Sequence, residues 1–359
     1  MRSLKATALP TSMLTRIKLG QFRCFDDFET EFHPSLNLII GPNAAGKTSL
    51  LEAACVLLRL QSPRTSKLAD VIRHDARGFF VDGYHDSAHL QFYYSPRRKK
   101  LALDSVEQSS ALEYLKFGKV VWFSNTDIAL VRGTSDVRRR FMDFLAVQLH
   151  PAYRSALRNY ERALRARNLL LKSNIPRWRE IQAFNEPLLN AGNLLMDARK
   201  SFVTALRPLA QLTHGAISAS RETLDAKYVP SCGNDFAAAL ESARGEDLRL
   251  RQTTMGPHRD DLQLTLSNAP ATLGSEGQQR TLAISLRLAA ARLIEADTGT
   301  PPLLLLDDIF GELDLARRTA LLCELPVTSQ QIITTTELDW LPQGLSANIL
   351  RLPPRQDAT

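Results

Sequence analysis

Gly41-Pro-Asn-Ala-Ala-Gly-Lys47-Thr48 is the stretch on which the fold turns. It fills every fixed position of G-x-x-x-x-G-K-[ST]: Gly41, Gly46, Lys47 and Thr48, with Pro42, Asn43, Ala44 and Ala45 between them. Leu36-Asn-Leu-Ile-Ile40 before it reads as a strand, and Ser49 to Leu58 after it as a helix. Two glycines in that setting let the backbone curl so that its N–H groups face a phosphate. The dipole of the following helix favours the same negative charge. Lys47 is then placed to reach the β- and γ-phosphates of a nucleotide, and the Thr48 hydroxyl to ligate Mg²⁺. A chance match in a glycine-containing turn would not bring strand and helix along in the required places, so ATP and Mg²⁺ are the expected ligands.

Far downstream, Leu303-Leu-Leu-Leu-Asp307-Asp308 reads as a buried parallel strand ending in two carboxylates. Asp307 is the expected Mg²⁺ partner, through water. Asp308 stands where such proteins usually carry a glutamate that orients the attacking water. Aspartate is one methylene shorter, which points to slow hydrolysis, with Lys47 and Asp308 as the catalytic pair. Ser275-Glu-Gly277-Gln278-Gln279-Arg280 opens a helical, alanine-rich run from Thr281 to Ala296. Ser275, Gly277, Gln278 and the first-turn amides form an anion-binding helix start, suited to a γ-phosphate presented from outside. An ordinary N-cap is the bland alternative; the position shortly before the acid pair favours the phosphate role. The order P-loop, long insertion, Ser-x-Gly-Gln, acid strand is that of ATP-binding-cassette heads. This predicts an α/β head, a mixed β-sheet with flanking helices, carrying an inserted α-helical lobe. In this class Gly311-Glu-Leu-Asp314 corresponds to the D-loop at a dimer interface, and the Ser-x-Gly-Gln element acts on nucleotide held by a second subunit. An ATP-dependent homodimer is expected.

Further blocks resemble the RecF family of bacterial recombination and repair proteins. Phe22-Arg23-Cys24-Phe25 is similar to that family's opening strand, and Arg64-Thr-Ser-Lys-Leu-Ala-Asp70 with Ile72-Arg73 to its segment after the P-loop. Phe123-Ser-Asn-Thr-Asp127, Val131-Arg-Gly133 and Arg138-Arg139-Arg140-Phe-Met-Asp143 resemble its Phe-Ser-Pro-Glu-Asp…Arg-Arg-x-Phe-Leu-Asp block. Gly256-Pro-His258-Arg259-Asp260-Asp261, the most specific stretch, occurs unbroken and reads as structural or interface-forming. There are departures. Asn125-Thr126 replaces Pro-Glu in the region that looks like the Q-loop, leaving Asn125 or Asp127 for that role. Ala44-Ala45 stands where glycine often occurs. No histidine follows Gln331-Ile-Ile-Thr334-Thr335-Thr336 where many cassettes have a switch residue; a threonine serves instead, or the function is absent.

The resemblance implies an ATP-dependent DNA-binding protein of recombinational repair and replication restart. Its head dimer would clamp double-stranded DNA near junctions with single strands. RecR and RecO mediators would be its partners, with a functional link to loading of RecA. Hydrolysis would act as a timer in a weak ATPase. Two other readings stay open: the ATPase subunit of a transporter, and an SMC-like head paired with a nuclease. The inserted Arg-rich lobe and the 256–261 block argue against the first. Against the second, His258 stands alone beside Arg259 and two Asp, without a metal-nuclease cluster.

Composition sets bounds. The chain has 359 residues, 44% of them hydrophobic, enough for one large core or two modest ones. No apolar run approaches the ~20 residues that span a bilayer, and no signal-peptide pattern opens the chain. Cys24, Cys55, Cys232 and Cys323 are dispersed, which fits a reducing cytoplasm without zinc or a disulfide framework. The net charge of +7 is a weak pointer to nucleic acid, but its distribution says more. Arg97-Arg-Lys-Lys100 and Arg138-Arg-Arg140 are clusters. Arg154, Arg158, Arg162 and Arg165 share one helix face, beside an apolar stripe of Tyr153, Leu157, Tyr160 and Leu164. That face offers guanidiniums to phosphates or is simply solvated.

Expected strands are Leu14 to Leu19, Asn37 to Ile40, His89 to Tyr94 and Val120 to Phe123. Residues from about 137 to 225 read as helical, with Pro176, Pro187 and Pro208 as breaks or helix starts. The chain then returns to the head through Asp261 to Leu266. The expected organisation is a disordered extension at 1–12, a head at 13–143 and 246–352, a lobe at 144–245 and a tail at 353–359.

Overall fold

The computed structural model describes residues 12–219, 221–338, 340–341 and 347–354. The expected extension, apart from Ser12, and the tail from 355 lie outside the described residues. Ser12 is buried, its hydroxyl 3.3 Å from His85 Nε2. The chain divides into two compact units: one runs up to Asp127 and resumes at Arg287, the other is Ile128–Leu286.

The first unit holds two sheets. Its early strands are β1 (Leu14–Phe22), β2 (Phe25–Glu31), β3 (Leu36–Ile40), β4 (Phe79–His85), β5 (Ala88–Tyr94), β6 (Lys99–Leu103), β7 (Val106–Glu107) and β8 (Val120–Ser124). Six of them form an antiparallel sheet in the order β2-β1-β4-β5-β6-β7. Burial alternates along β4 and β5, so only one face of this sheet is covered. The covering element is helix α1 (Lys47–Arg59), eleven of whose thirteen residues are buried. Its other side meets the second sheet, which explains why it is apolar nearly all round.

The second unit contains three long helices: α2 (Ser135–Leu149), α3 (Tyr153–Leu171) and α4 (Asn185–Ile217). Tyr153, Tyr160, Leu188, Leu195 and Phe236 form their shared core. Beside them β9 (Leu224–Val229), β10 (Asp261–Leu266) and β11 (Ala269–Pro270) make a small antiparallel sheet in the order β11-β10-β9. The strand 261–266, expected to lead back into the head, therefore belongs to the lobe, and the inserted unit is longer than 144–245. Its alternating burial suits a one-faced antiparallel sheet; the head's core strands are buried on both faces. Pro187 sits in the first turn of α4, where a missing N–H costs little. Pro208 lies inside α4 and does not break it: the buried face from Leu188 to Ile217 outweighs one lost backbone bond.

Helix α5 (Glu276–Thr298) contains the boundary between the units. After it come β12 (Leu303–Asp307), helix α6 (Leu315–Glu324), β13 (Gln331–Thr335) and β14 (Asn348–Arg351). The five-stranded sheet of the first unit runs β14-β3-β13-β12-β8, and every pairing in it is parallel. Leu303 to Leu306 of β12 are fully buried. The carboxyl ends of β3 and β12 are thus two positions apart on one edge of a parallel sheet, the edge at which open α/β sheets bind ligands.

Candidate nucleotide site

The P-loop leaves β3 at Ile40 and enters α1 at Lys47. Gly46 caps the helix with φ 100°, a conformation that disfavours any side chain, and a Cβ there would fall 2.9 Å from Cys24 Sγ. Ala44 also takes a left-handed φ of 64°. The turn closes through Ala45 N–H donating to Pro42 O at 3.3 Å, and α1 begins with Leu50 N–H to Gly46 O at 3.0 Å. Pro42, Asn43 and Ala44 remain exposed on the loop's crown. Lys47 is buried, its Nζ donating to Gly41 O at 2.5 Å and Pro42 O at 3.0 Å. Burial lowers the pKa of this ammonium; Asp308 and Asp307 pull it back up.

The two acids lie at the end of β12, against the first turn of α1. Thr48 Oγ1 donates to Asp307 Oδ1 at 2.8 Å, across 259 residues of sequence. Thr334 Oγ1, from β13, donates to the same oxygen at 2.9 Å and accepts from Asp308 N–H at 2.9 Å. Burial raises the Asp307 pKa, and the Thr48 and Thr334 hydroxyls oppose it. Asp308 is also raised by burial, with Lys47 opposing, and holds a left-handed φ of 51°. Non-glycine residues in that region cluster where the surroundings impose a special side-chain direction. A hydroxyl, a carboxylate and a ring of backbone amides are the donor set of a hard cation with phosphates, so these residues fit Mg²⁺ and a nucleotide.

Around this centre stand residues to which the sequence reading gave no chemical role. Glu52 of α1 is fully buried and is held by Arg23 at 2.8 Å and 2.9 Å, Arg64 at 3.2 Å and Ser62 at 2.6 Å. Arg23 and Arg64 were legible only as parts of family blocks. Asp127, one of two candidates for a Q-loop role, accepts from Ser124 N–H and both Nε and Nη2 of Arg287, at 3.0, 3.2 and 2.7 Å. It is thereby a buried structural anion.

The Ser275 segment belongs to the second unit. Ser275 N–H donates to Gln278 Oε1 at 2.5 Å and Gln278 N–H to Ser275 Oγ at 3.3 Å, a reciprocal capping box at the start of α5. Ser275 is exposed, and Gly277 is half-buried in the first turn. Gln278 Nε2 also donates to Glu222 Oε1 at 2.9 Å, and buried Gln279 bonds the Thr272 and Gly274 carbonyls. In the D-loop counterpart, Asp314 caps α6 through Arg317 N–H at 2.9 Å, leaving Leu315 75% exposed.

The 256–261 block is the lobe's internal knot. Arg199, nearly fully buried, donates to Asp143 at 2.8 and 3.0 Å, Pro257 O at 2.6 Å and Asp260 at 3.3 Å. His258 Nε2 donates to Thr253 O at 3.0 Å, which leaves Nδ1 to accept from Tyr160 Oη at 2.6 Å. Burial lowers the His258 pKa to about 4. Arg138 forms a two-pronged pair with Asp261 at 2.6 and 2.9 Å, and Arg139 donates to Asp260 O at 2.6 Å. Two of the three arginines in the 138–140 cluster are therefore committed inside the lobe. On α3, Arg158, Arg162 and Arg165 are exposed, whereas Arg154 is half-buried.

The family profile described as RecF/RecN/SMC N terminal domain matches residues 13–349. A DNA replication and repair protein RecF from Lactococcus lactis subsp. cremoris is 36% identical over 343 residues, 93% of this chain and 96% of that one. The chain belongs to the RecF family. The RecF protein of Synechocystis is likewise 36% identical, over 90% of this chain and 92% of its own length. A solved structure described as the recombination mediator protein RecF-ATPrS in the RecFOR pathway superposes with TM-score 0.84 at 27% identity, covering 96% of this chain and 97% of that chain. A Pyrococcus furiosus Smc head domain shares the fold alone, with TM-score 0.52 at 16% identity over 91% of this chain and 90% of that chain. This RecF-family chain thus has the ATP-binding-cassette head architecture. Among the described residues no helix is long and apolar enough to cross a membrane.

Proposed function

We propose that the protein binds ATP with Mg²⁺ at residues 41–48 and the 307–308 acid pair, and uses it to close a homodimer on DNA during recombinational repair and replication restart. The observation that carries this reading is the Thr48 Oγ1–Asp307 Oδ1 bond of 2.8 Å, which joins the P-loop to the acid strand. When bound, Mg²⁺ supplies neutralising charge at the β- and γ-phosphates; Thr48 and Asp307 are the residues that would hold it. The amides from Asn43 to Lys47 and the Lys47 ammonium bind the phosphates, exchanging the carbonyls of Gly41 and Pro42 for phosphate oxygens. Asp308 orients the attacking water and accepts its proton, and its short side chain makes turnover slow. Ser275 and Gln278 of one protomer complete the pocket of its partner. Such a weak ATPase works as a timer for release.

Clamping of duplex DNA near single-strand junctions is supported by the exposed arginines of α3. RecR and RecO as partners, and the link to RecA loading, rest on kinship with a RecF described as belonging to the RecFOR pathway. The expected compartment is the cytoplasm. The test is sedimentation and duplex binding with and without ATP for wild type, Lys47→Arg and Ser275→Arg. Lys47→Arg should bind ATP and hydrolyse it poorly. Ser275→Arg should bind nucleotide and stay monomeric; if it dimerised normally with ATP, the trans-acting role of Ser275 would be wrong.

A further inference from the structure

Next to the Ser275 segment lies a buried acid–base pair that the proposed function does not use. His214, in the last turn of α4, is fully buried, and Glu222, between α4 and β9, is half-buried. His214 Nε2 stands 3.5 Å from Glu222 Oε2, and neither atom has a hydrogen-bond partner among the described residues. The other carboxylate oxygen, Glu222 Oε1, accepts from Gln278 Nε2 at 2.9 Å. On its far side the imidazole meets Ser285 of α5, with Nδ1 3.3 Å from Oγ. Ser285 Oγ donates its one hydrogen to Thr281 O at 2.7 Å, so toward His214 it accepts. The neutral ring therefore carries its hydrogen on Nδ1 and turns the lone pair of Nε2 toward a carboxylate. Two buried acceptors face each other, an arrangement that costs free energy until a proton comes between them.

Burial lowers the His214 pKa from 6.5, and Glu222 pulls it back up. The ring is thus neutral at pH 7 and gains its proton in more acid solution, becoming a donor on both nitrogens. Charged groups on the elements packed around it are engaged elsewhere: Arg207 of α4 with Asp225 of β9, Tyr228 of β9 with Asp260, and, on α5, Glu276 with Arg280 and Arg132 and Arg287 with Asp127. Arg221 and Lys227 are exposed. Glu222 is the charged group that faces His214. A carboxylate can only accept, so Glu222 selects the Nε2 end of the Gln278 amide. That choice turns Gln278 Oε1 to the Ser275 N–H, 2.5 Å away, and completes the capping box. The Glu222 carboxylate is itself held on one side only; a protonated His214 holds the other through a charge-assisted bond.

We propose that Glu222 is a positioning residue for the Ser275 segment, acting through Gln278, and that a proton on His214 locks it in place, so that acid favours closure with the second copy. The inference rests on the trans-acting role of Ser275 and Gln278 proposed above and adds its regulation: proton uptake and closure favour one another. The test is ATP-dependent dimerisation of the full chain by sedimentation between about pH 7.5 and 5.5, with the ATP affinity of the protomer measured alongside. Glu222→Gln, whose amide can turn either end to Gln278, is expected to dimerise about tenfold more weakly at the upper pH, with ATP affinity and melting temperature near wild type. His214→Gln is expected to lose the pH response: the ratio of wild-type to variant dimer affinity should rise about fivefold as pH falls through the interval. The two changes together should cost no more than Glu222→Gln alone. NMR titration of the histidine rings reads the pair in the protomer itself, even if His214→Gln fails to fold. The His214 midpoint should fall in Glu222→Gln, which removes the opposite charge. Parallel pH curves for wild type and His214→Gln, normal dimerisation of Glu222→Gln, or a His214 midpoint that Glu222→Gln leaves in place would each overturn the proposal. If Ser275→Arg stays monomeric while the Glu222 and His214 variants close normally, this inference alone falls. If all three close normally, the trans-acting role falls with it.

Discussion

The two segments proposed to meet the nucleotide, one in each unit, are built in opposite ways. The half made by the P-loop and β12 is largely withdrawn from solvent and bonded: Thr48, Asp307, Asp308 and Thr334 form one hydrogen-bonded set, and Lys47 is held by the Gly41 and Pro42 carbonyls beside it. The half made by Ser275 and Gln278 is exposed, and its polar groups close on themselves in a capping box and on Glu222. The first is organised to receive a charge; the second is organised to hold the first turn of a helix. The contrast teaches that organisation for chemistry has been concentrated in one half. The other needs only rigidity if, as proposed, it serves the nucleotide of another subunit.

If the division is right, damage to the buried half should show in turnover and damage to the exposed half in assembly. The largest effect is expected from Asp308→Asn. It keeps the shape and removes the base, so phosphate release should fall about a hundredfold or more, while nucleotide affinity and dimerisation persist or strengthen. Equal loss of binding and turnover would mean that Asp308 holds the nucleotide instead of activating water.

The lobe offers a control that concerns neither half directly. His258 is neutral in the folded lobe, with its pKa lowered from 6.5 to about 4 by burial. In the unfolded chain it takes up a proton first, so acid favours unfolding. The stabilisation is complete above about pH 6.5 and is lost as pH falls toward 4, up to about 3 kcal/mol in all. Urea unfolding of wild type across that interval should show the decline, and His258→Gln should flatten it from a lower starting stability. A wild-type curve without slope would mean that the knot opens to water.

How much of this was legible beforehand follows from the kind of signal each element carries. Residues 41–48 and 303–308 were readable because chemistry and burial coincide there: a fixed glycine spacing, or a strand hydrophobic on both faces. Asp261 to Leu266 was readable as a strand but not as a strand of the lobe, since alternation records one covered face and not which sheet covers it. The arginines at 138–140 looked like a surface cluster because charge runs usually are solvated. Only Asp260 and Asp261, more than a hundred residues later, reveal two of them as internal. Thr334 stood in a row of three threonines, and no local pattern distinguishes the one whose hydroxyl bridges two acids. Pairings made across the whole chain leave little trace in any window of it.

Thr334 sharpens the comparison from within the buried half. Thr334→Val removes a donor to Asp307 and leaves the Asp308 N–H without an acceptor, at a cost of about 2 kcal/mol in folding stability. Asp307 loses one of the hydrogen bonds that oppose its raised pKa. A carboxyl must be ionised to hold a cation, so the midpoint of Mg²⁺-dependent nucleotide binding should move to higher pH. Thr334→Ser should restore both properties. A midpoint that stays put would mean that Thr48 alone fixes the ionisation of Asp307.

The smallest expected effect tests the exposed half most finely. As a cap, Ser275 can be replaced by glycine at a cost of a few tenths of a kcal/mol and by alanine at about 1 kcal/mol. As a group completing a neighbour's pocket, it can be replaced by neither, because both variants lack the hydroxyl. Thermal unfolding of the monomer should therefore separate Ser275→Gly from Ser275→Ala, whereas ATP-dependent dimerisation should fall equally in the two. If dimerisation instead followed the order of monomer stability, the hydroxyl would serve only the helix. The trans contact would then belong to the backbone amides that it positions.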